Sequence, residues 1–291
     1  MTKENQMPDP AVPAVKSAQD VPRRARPLLT LEVLRRQELT PHMVRIIAGG
    51  PNFERFAGNG CADAYCKIWF SPDGTPLDGT AELEALREQF PREQWPVSRT
   101  YTIRSVDPVA RELAIDFVVH GDTGLAGPWA ARAVPGDPLA FTGPGGAFNP
   151  DPDAGWYLFA ADESALPATA AVLEALPADA VGQAFLEVGG PEDRQPLQTP
   201  EGITVTWLYR GDLPAGNTGL LANAVAAAPW PDNNVQVFAH GEREAMKALR
   251  DILFTTRGLE RRQVSLSGYW AAGRTEDAFQ AEKRTPVGKI L

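Results

Sequence analysis

The chain has 291 residues, with 28 Lys and Arg against 37 Asp and Glu, a formal net charge of −9 and a hydrophobic fraction of 43%. That composition supplies a sizeable core for two ordinary domains or one large barrel, and the acidity argues against nucleic acid or an anionic membrane as main partner. No apolar run reaches about 18 residues, so no stable membrane insertion is expected, and two cysteines are too few for a disulfide framework or an iron–sulfur cluster.

Residues 1–26 are rich in proline and lack an apolar period, which predicts a disordered leader. Arg23-Arg24 is not followed by an apolar stretch of the kind an export signal needs, so cytoplasmic residence is the expectation. From residue 27 to 150, short runs dense in β-branched and aromatic residues follow one another: 29–34, 43–47, 65–70, 99–104, 113–119 and 138–141. Six such strands separated by turn residues predict a small antiparallel barrel, interrupted by one short helix near 125–133. Asn149-Pro150-Asp151-Pro152-Asp153 reads as a linker. Beyond it, in residues 151–291, strands at 156–160, 184–188, 205–209, 235–239 and 264–267 alternate with helices. The first helix carries Leu166, Thr169, Leu173 and Leu176 on one face, and others are expected over 219–228 and 242–254. Alternation of this kind predicts a parallel α/β sheet covered on both faces.

Two motifs carry possible chemistry. In Arg99-Thr100-Tyr101-Thr102, residues two apart face the same way, so Arg99 and Tyr101 share a face and Thr102 lies opposite. An arginine for a pyrophosphate, a tyrosine for a flavin ring and a hydroxyl for its edge form one coherent set; a barrel strand with a surface arginine and a core tyrosine forms another. About 20 residues on, His120-Gly121-Asp122-Thr123-Gly124-Leu125-Ala126-Gly127-Pro128-Trp129-Ala130 joins a strand end to a glycine-rich turn and a helix start. That turn suits an anion, or it is a plain connection with Trp129 as a core anchor.

These two elements resemble those of siderophore-interacting proteins, FAD-dependent ferric-siderophore reductases of the ferredoxin-reductase-like superfamily. So do Ala161-Asp162-Glu163-Ser164-Ala165-Leu166-Pro167-Ala168, His240-Gly241-Glu242 and the stretch from Gly268-Tyr269-Trp270-Ala271-Ala272-Gly273-Arg274 to Asp277. The resemblance runs from about residue 28 to 284 and implies an FAD-binding barrel followed by an NAD(P)H-binding domain with a C-terminal extension. It implies that Arg99, Tyr101 and Thr102 bind the flavin and its phosphates, with His120, Gly127, Trp129 and Ala130 along the phosphate turn. Asp162, Glu163, Ser164 and Ala165 would face the pyridine nucleotide, NADPH or NADH, with His240 and Gly241 on the cofactor side of the sheet. Tyr269, Trp270 and Gly273 would lie over the flavin side. The family often has Gly where this chain has Ala161, and basic residues at Ala271 and Ala272. The first departure weakens close backbone approach to a pyrophosphate, and the second removes cations near an anionic partner.

Lys67, between Cys66 and Ile68 on an apolar run, is either a solvated barrel position or a cationic contact for an anionic ferric siderophore. Arg243, Lys247 and Arg250 share one helix face; Lys247 and Arg250 are read as candidate contacts for the chelate, against a plain solvated face. Arg210 follows a strand at the end where a ribose 2′-phosphate would lie. Cys61 and Cys66 lack metal-site spacing, and three histidines leave no zinc constellation, so no metal ligands and no conventional catalytic acid or base are assigned. The expected function is therefore reduction of a ferric siderophore by NAD(P)H through FAD, by a monomer. The alternatives are a flavin reductase or ferredoxin-linked flavoprotein, or a non-enzymatic siderophore or flavin carrier. The acidity is uneven: residues 151–212 carry two basic and eleven acidic side chains, and 213–291 ten basic and eight acidic. An anionic substrate would have to be drawn in locally.

Overall fold

A computed structural model describes residues 28–75, 77, 83–216, 218–232 and 234–291. The expected leader lies outside these described residues. Strands β1 (Leu29–Thr40), β2 (Met43–Gly49) and β3 (Tyr65–Phe70) are followed by helix α1 (Leu83–Gln89), β4 (Val97–Asp107), β5 (Glu112–Val118), helix α2 (Ala126–Arg132) and β6 (Pro138–Gly145). The six strands close into an antiparallel barrel in the order β1-β2-β5-β4-β3-β6. The alternation that predicted them is what closes the barrel: Leu29, Leu31 and Val33 turn inward from β1, as do Cys66, Ile68 and Phe70 from β3. Polar residues of the strands pair across the ladder. Arg45 on β2 faces Asp116 on β5 in the register and binds its carboxylate with two bonds of 2.6 and 2.8 Å. β1 runs six residues past the expected 29–34. Its second half, Arg35 to Thr40, is too charged to alternate, yet pairs with β2 through the hairpin at Thr40 and Met43.

The second half contains β7 (Trp156–Ala161), α3 (Leu166–Glu174), β8 (Val181–Val188), β9 (Gly202–Tyr209), α4 (Leu220–Ala227), β10 (Val235–Glu242), α5 (Arg243–Arg250), β11 (Val264–Trp270) and α6 (Glu276–Glu282). The five strands form a parallel sheet in the order β11-β10-β7-β8-β9. Side chains of α4 and α5 fill one face around Leu158, Val237 and Leu266, and those of α3 fill the other around Phe159 and Phe238. Both halves of the expected architecture, antiparallel barrel and parallel sheet, are present. Two boundaries move. Glu242 ends β10 and caps α5 instead of lying within the helix, and the helix expected to 254 stops at Arg250 and continues as π-helical turns, Asp251–Thr256. Helices α1 and α6 had no counterpart in the sequence reading.

Several contacts fix the barrel against the second half, among them the following. Arg104 on β4 forms an ion pair with Glu174 at the end of α3, and His42 in the β1–β2 hairpin bonds Asp193, beyond β8, at 2.8 Å. The rings of Phe148 and Phe238 meet at 5.0 Å. Among the described residues no helix is long and apolar enough to cross a membrane.

Candidate functional site

The barrel contributes one cluster. On β4 the Arg99 side chain is 16% exposed; its guanidinium donates to Ser98 O at 2.9 Å and, at 3.2 and 3.4 Å, to both carboxylate oxygens of Asp277 on α6. Tyr101, two residues on, lays its ring against Phe117 at 4.4 Å. Burial, aided by Glu276 and opposed by Arg99, pushes its phenol above the ordinary value, so the hydroxyl keeps its proton. Among the described residues that hydroxyl has no hydrogen-bond partner, and Thr102 beside it is buried against β3, opposite Tyr65. The turn into α2 bends at Gly121 (φ 65°) and Gly124 (φ 89°), and a side chain at either would meet nothing within 4 Å. His120 is exposed at its start, and no side chain caps the helix. Gly127 packs so closely on β5 that a Cβ would stand 3.0 Å from Val118 O. Trp129 and Ala130 point elsewhere: Trp129 meets Phe70 and Phe117 edge-on at 5.9 and 5.5 Å, and both residues belong to the barrel core. The side chains expected along a phosphate turn are therefore core anchors at these two positions, because α2 must bury one face to close the barrel end.

The sheet contributes a second cluster, at the carboxyl ends of its strands, where open α/β sheets receive ligands. Asp162, just after β7, is fully buried and accepts from five donors. They are the Ser164 amide and hydroxyl, the Ala165 amide at 3.3 Å, the Glu242 amide at 2.8 Å and Trp270 Nε1 at 2.8 Å. Burial nonetheless pushes its carboxyl above the usual range. Gly241, at φ 155°, must be glycine, because a Cβ there would lie 2.8 Å from Asp162 Oδ2. Asp162, Ser164, Ala165, Gly241 and Trp270 are thus one knot joining β7, β10 and β11. Asp162 has no free oxygen to offer a nucleotide, which corrects its expected place among the ligands. Glu242, read in the sequence as part of the His240-Gly241-Glu242 stretch and as the start of a helix, works beside it: Oε2 caps α5 by accepting the Glu244 and Ala245 amides at 2.6 and 2.9 Å, and Oε1 accepts from Ala272 N at 3.1 Å.

His240 lies under the same edge, its ring nitrogens bonded to Tyr269 Oη at 3.0 Å and Ser265 Oγ at 2.9 Å. Burial takes it down to about 3, so it is neutral and works by holding Tyr269. Tyr269 keeps its own proton because of burial, with Asp63 of the barrel and Asp162 adding negative potential. Gly273 (φ 72°) turns the chain from β11 towards α6, which carries Asp277 back to Arg99. Thr275, whose Oγ accepts from Ala278 N at 3.3 Å, was the readable cap of that missed helix.

A third group lies one strand further along. Arg210, after β9, forms an ion pair with Glu163, the side chains 16% and 14% exposed. Glu187, buried near the end of β8, accepts from Thr218 Oγ at 2.9 Å, and burial with Asp162 nearby lifts it to about 7. A charged residue inside the apolar run 184–188 was its signal. Lys67 is exposed on β3, opposite Thr100 of β4. Lys247 and Arg250 are not in the site: Lys247 bonds Glu244 and Val287 O at 3.0 and 2.7 Å, and Arg250 bonds Asp251 and Ile290 O at 2.8 and 3.0 Å. They hold the last residues of the chain against α5, which corrects their assignment to the chelate. Among the described residues no group of three or more His, Cys, Asp or Glu is placed to hold a metal ion.

Residues 32–148 match the family model described as the siderophore-interacting FAD-binding domain, and residues 154–273 match that described as siderophore-interacting protein. The chain belongs to the siderophore-interacting protein family. Among relatives, it is 33% identical over 260 residues to the ferric vibriobactin reductase of Vibrio cholerae, covering 87% of this chain and 93% of that one. It is 30% identical over 246 residues to the NADPH-dependent ferric-chelate reductase of Escherichia coli, covering 83% and 92%. Among solved structures, a siderophore utilization protein from T. fusca matches with a TM-score of 0.74 and 38% identity over 86% of this chain and 95% of that one. For a member of this family, the barrel cluster offers a guanidinium, a flat phenol ring with a free hydroxyl, a second hydroxyl and an uncapped helix start. Those donors fit a flavin dinucleotide, whose ring is flat and whose pyrophosphate is anionic.

Proposed function

We propose that this chain is an FAD-dependent reductase of ferric siderophores, taking hydride from NAD(P)H and releasing iron as Fe(II). The observation that carries the proposal is the face of β4, inside the matched FAD-binding domain, where Arg99 and Tyr101 stand side by side with polar groups available. Arg99 would hold the pyrophosphate by exchanging Asp277 for it, Tyr101 would back the ring, and Thr102 would bond its edge. A bound flavin links a two-electron hydride donor to an acceptor that takes one electron at a time. Each hydride then serves two Fe(III) ions, and oxygen-donor chelators hold the product Fe(II) less tightly than the harder Fe(III). No side chain needs to move a proton to the iron. Tyr269, fixed by the neutral His240, and Trp270, fixed by Asp162, would close the sheet edge and exclude water from the ring. Lys67 would attract an anionic chelate. The division at about residue 150, a monomeric state and a cytoplasmic location belong to the same proposal.

The test is a ferrous-trap assay. Protein reconstituted with FAD is mixed anaerobically with NADH or NADPH and several ferric siderophores, and flavin bleaching and Fe(II) are followed together. Bleaching with Fe(II) release is expected, weaker for anionic chelates in Lys67→Ala at equal flavin content. Bleaching without Fe(II) from any chelate ends the reductase reading.

A further inference from the structure

The third group, at the ends of β7, β8 and β9, is a cation surrounded by acids. The Arg210 guanidinium is held by Glu163, and the turn after β8 brings a second carboxylate towards it. A Cβ placed on Gly189 would stand 2.8 Å from Asp193 Oδ2 and 3.6 Å from Arg210 Nη2, so both line the same glycine. That Asp193 oxygen is buried and lacks a hydrogen-bond partner among the described residues, while the other oxygen is held by His42. Glu187 lies close enough for Arg210 and Glu163 to act on its titration in opposite directions. One arginine thus pairs with Glu163, with the Asp193 and Glu187 carboxyl groups nearby.

In sheets of this kind the adenosine ribose lies at the carboxyl ends of the strands beyond the switch point, here between β7 and β10, on the side of β8 and β9. An acid at that place bonds a ribose 2′-hydroxyl, whereas a free arginine receives a 2′-phosphate. Resting on the proposed pyridine-nucleotide site, we infer that Glu163 is a specificity-determining residue: by engaging Arg210 it makes this chain select the 2′-hydroxyl nucleotide, NADH, over the 2′-phosphate nucleotide, NADPH. A phosphate dianion arriving here would have to take Arg210 from Glu163 and then sit among uncompensated carboxylates. A ribose diol needs only acceptors, which the cluster supplies.

The experiment is calorimetric titration of the flavin-loaded protein with ADP-ribose and with 2′-phospho-ADP-ribose, which keep the adenosine end and cannot transfer hydride. In the unmodified protein ADP-ribose should bind about tenfold tighter or more, the size of effect that one mispaired charged contact produces. Glu163→Gln should release Arg210 and narrow or reverse that ratio by about tenfold. Adding Arg210→Gln to Glu163→Gln should take back the affinity for 2′-phospho-ADP-ribose gained by the single variant, because the freed guanidinium is what receives the phosphate. Equal or tighter binding of the phosphorylated ligand by the unmodified protein overturns the inference without any variant having to fold. So does a double variant that binds that ligand as tightly as Glu163→Gln. If NADH or NADPH bleaches the flavin in either case, the proposed nucleotide site stands while the selector falls. If neither ligand binds and neither nucleotide bleaches the flavin, the nucleotide site itself is refuted, and the selector with it.

Discussion

Glu187→Gln isolates the cost of keeping a carboxyl near the end of β8. In the folded protein burial lifts Glu187 to about 7 from an ordinary value near 4.5, with the Thr218 bond opposing and the neighbouring Asp162 and Glu163 assisting. A raised value means that the folded chain holds this proton more tightly than the unfolded chain. The resulting stability is fully present below about pH 4.5 and is lost as the pH climbs through about 7. The distance between those two values corresponds to about 3 kcal/mol, all of it lost by pH 8. Gln keeps an acceptor for Thr218 and does not ionise, so the variant should gain on the parent as the pH rises. Urea unfolding at pH 5, 6, 7 and 8, followed by fluorescence, should show a gap between variant and parent widening over this range to about 2–3 kcal/mol. A gap that is the same at pH 5 and pH 8 would refute the reasoning, because packing does not vary with pH in that window and only the ionisation of Glu187 separates variant from parent there.

Two further outcomes follow from the same geometry. Trp270→Phe removes one donor from the buried Asp162 carboxylate while keeping a smaller aromatic ring, and should cost about 1–3 kcal/mol or more in urea unfolding; a cost near zero would mean that Asp162 does not depend on that bond to tie β11 to β7. Cys66 is fully buried and burial pushes its thiol up, whereas Cys61 is partly exposed. In the native protein a thiol reagent should therefore modify Cys61 and spare Cys66 until denaturant is added, as peptide mapping would reveal, and equal labelling of both would contradict the placement of Cys66 in the barrel core.

Legibility in the sequence followed the range of the interaction. Alternation in Arg99 to Arg104, and runs dense in β-branched and aromatic residues such as Leu113 to Val118, announced barrel strands, because strand-forming side-chain type is a local property. The α/β alternation after residue 150 was readable for the same reason. The charged end of β1 was not, since its pairing comes from a hairpin and not from burial. Trp129 shows the limit for a site residue: its place beside a glycine-rich turn suggested a ligand, and only the rings of Phe70 and Phe117 around it decide that it is core. Lys247 and Arg250 had the right charge and spacing for an anion-binding face, but the backbone carbonyls they bind lie 40 residues away.

The sequence by itself determined the two halves of this protein and the type of most of their strands and helices, since each depends on side-chain type at a fixed local spacing. Tertiary structure alone decided what those residues are free to do. Arg99 meets Asp277 across 178 positions, Trp270 meets Asp162 across 108, and Arg210 meets Glu163 across 47. A charge that looks available in the sequence is available to a ligand only if no partner elsewhere in the chain already holds it. The net charge of −9 likewise argued against nucleic acid as main partner, but it took the fold to concentrate part of that acidity around one arginine at the ends of β7, β8 and β9.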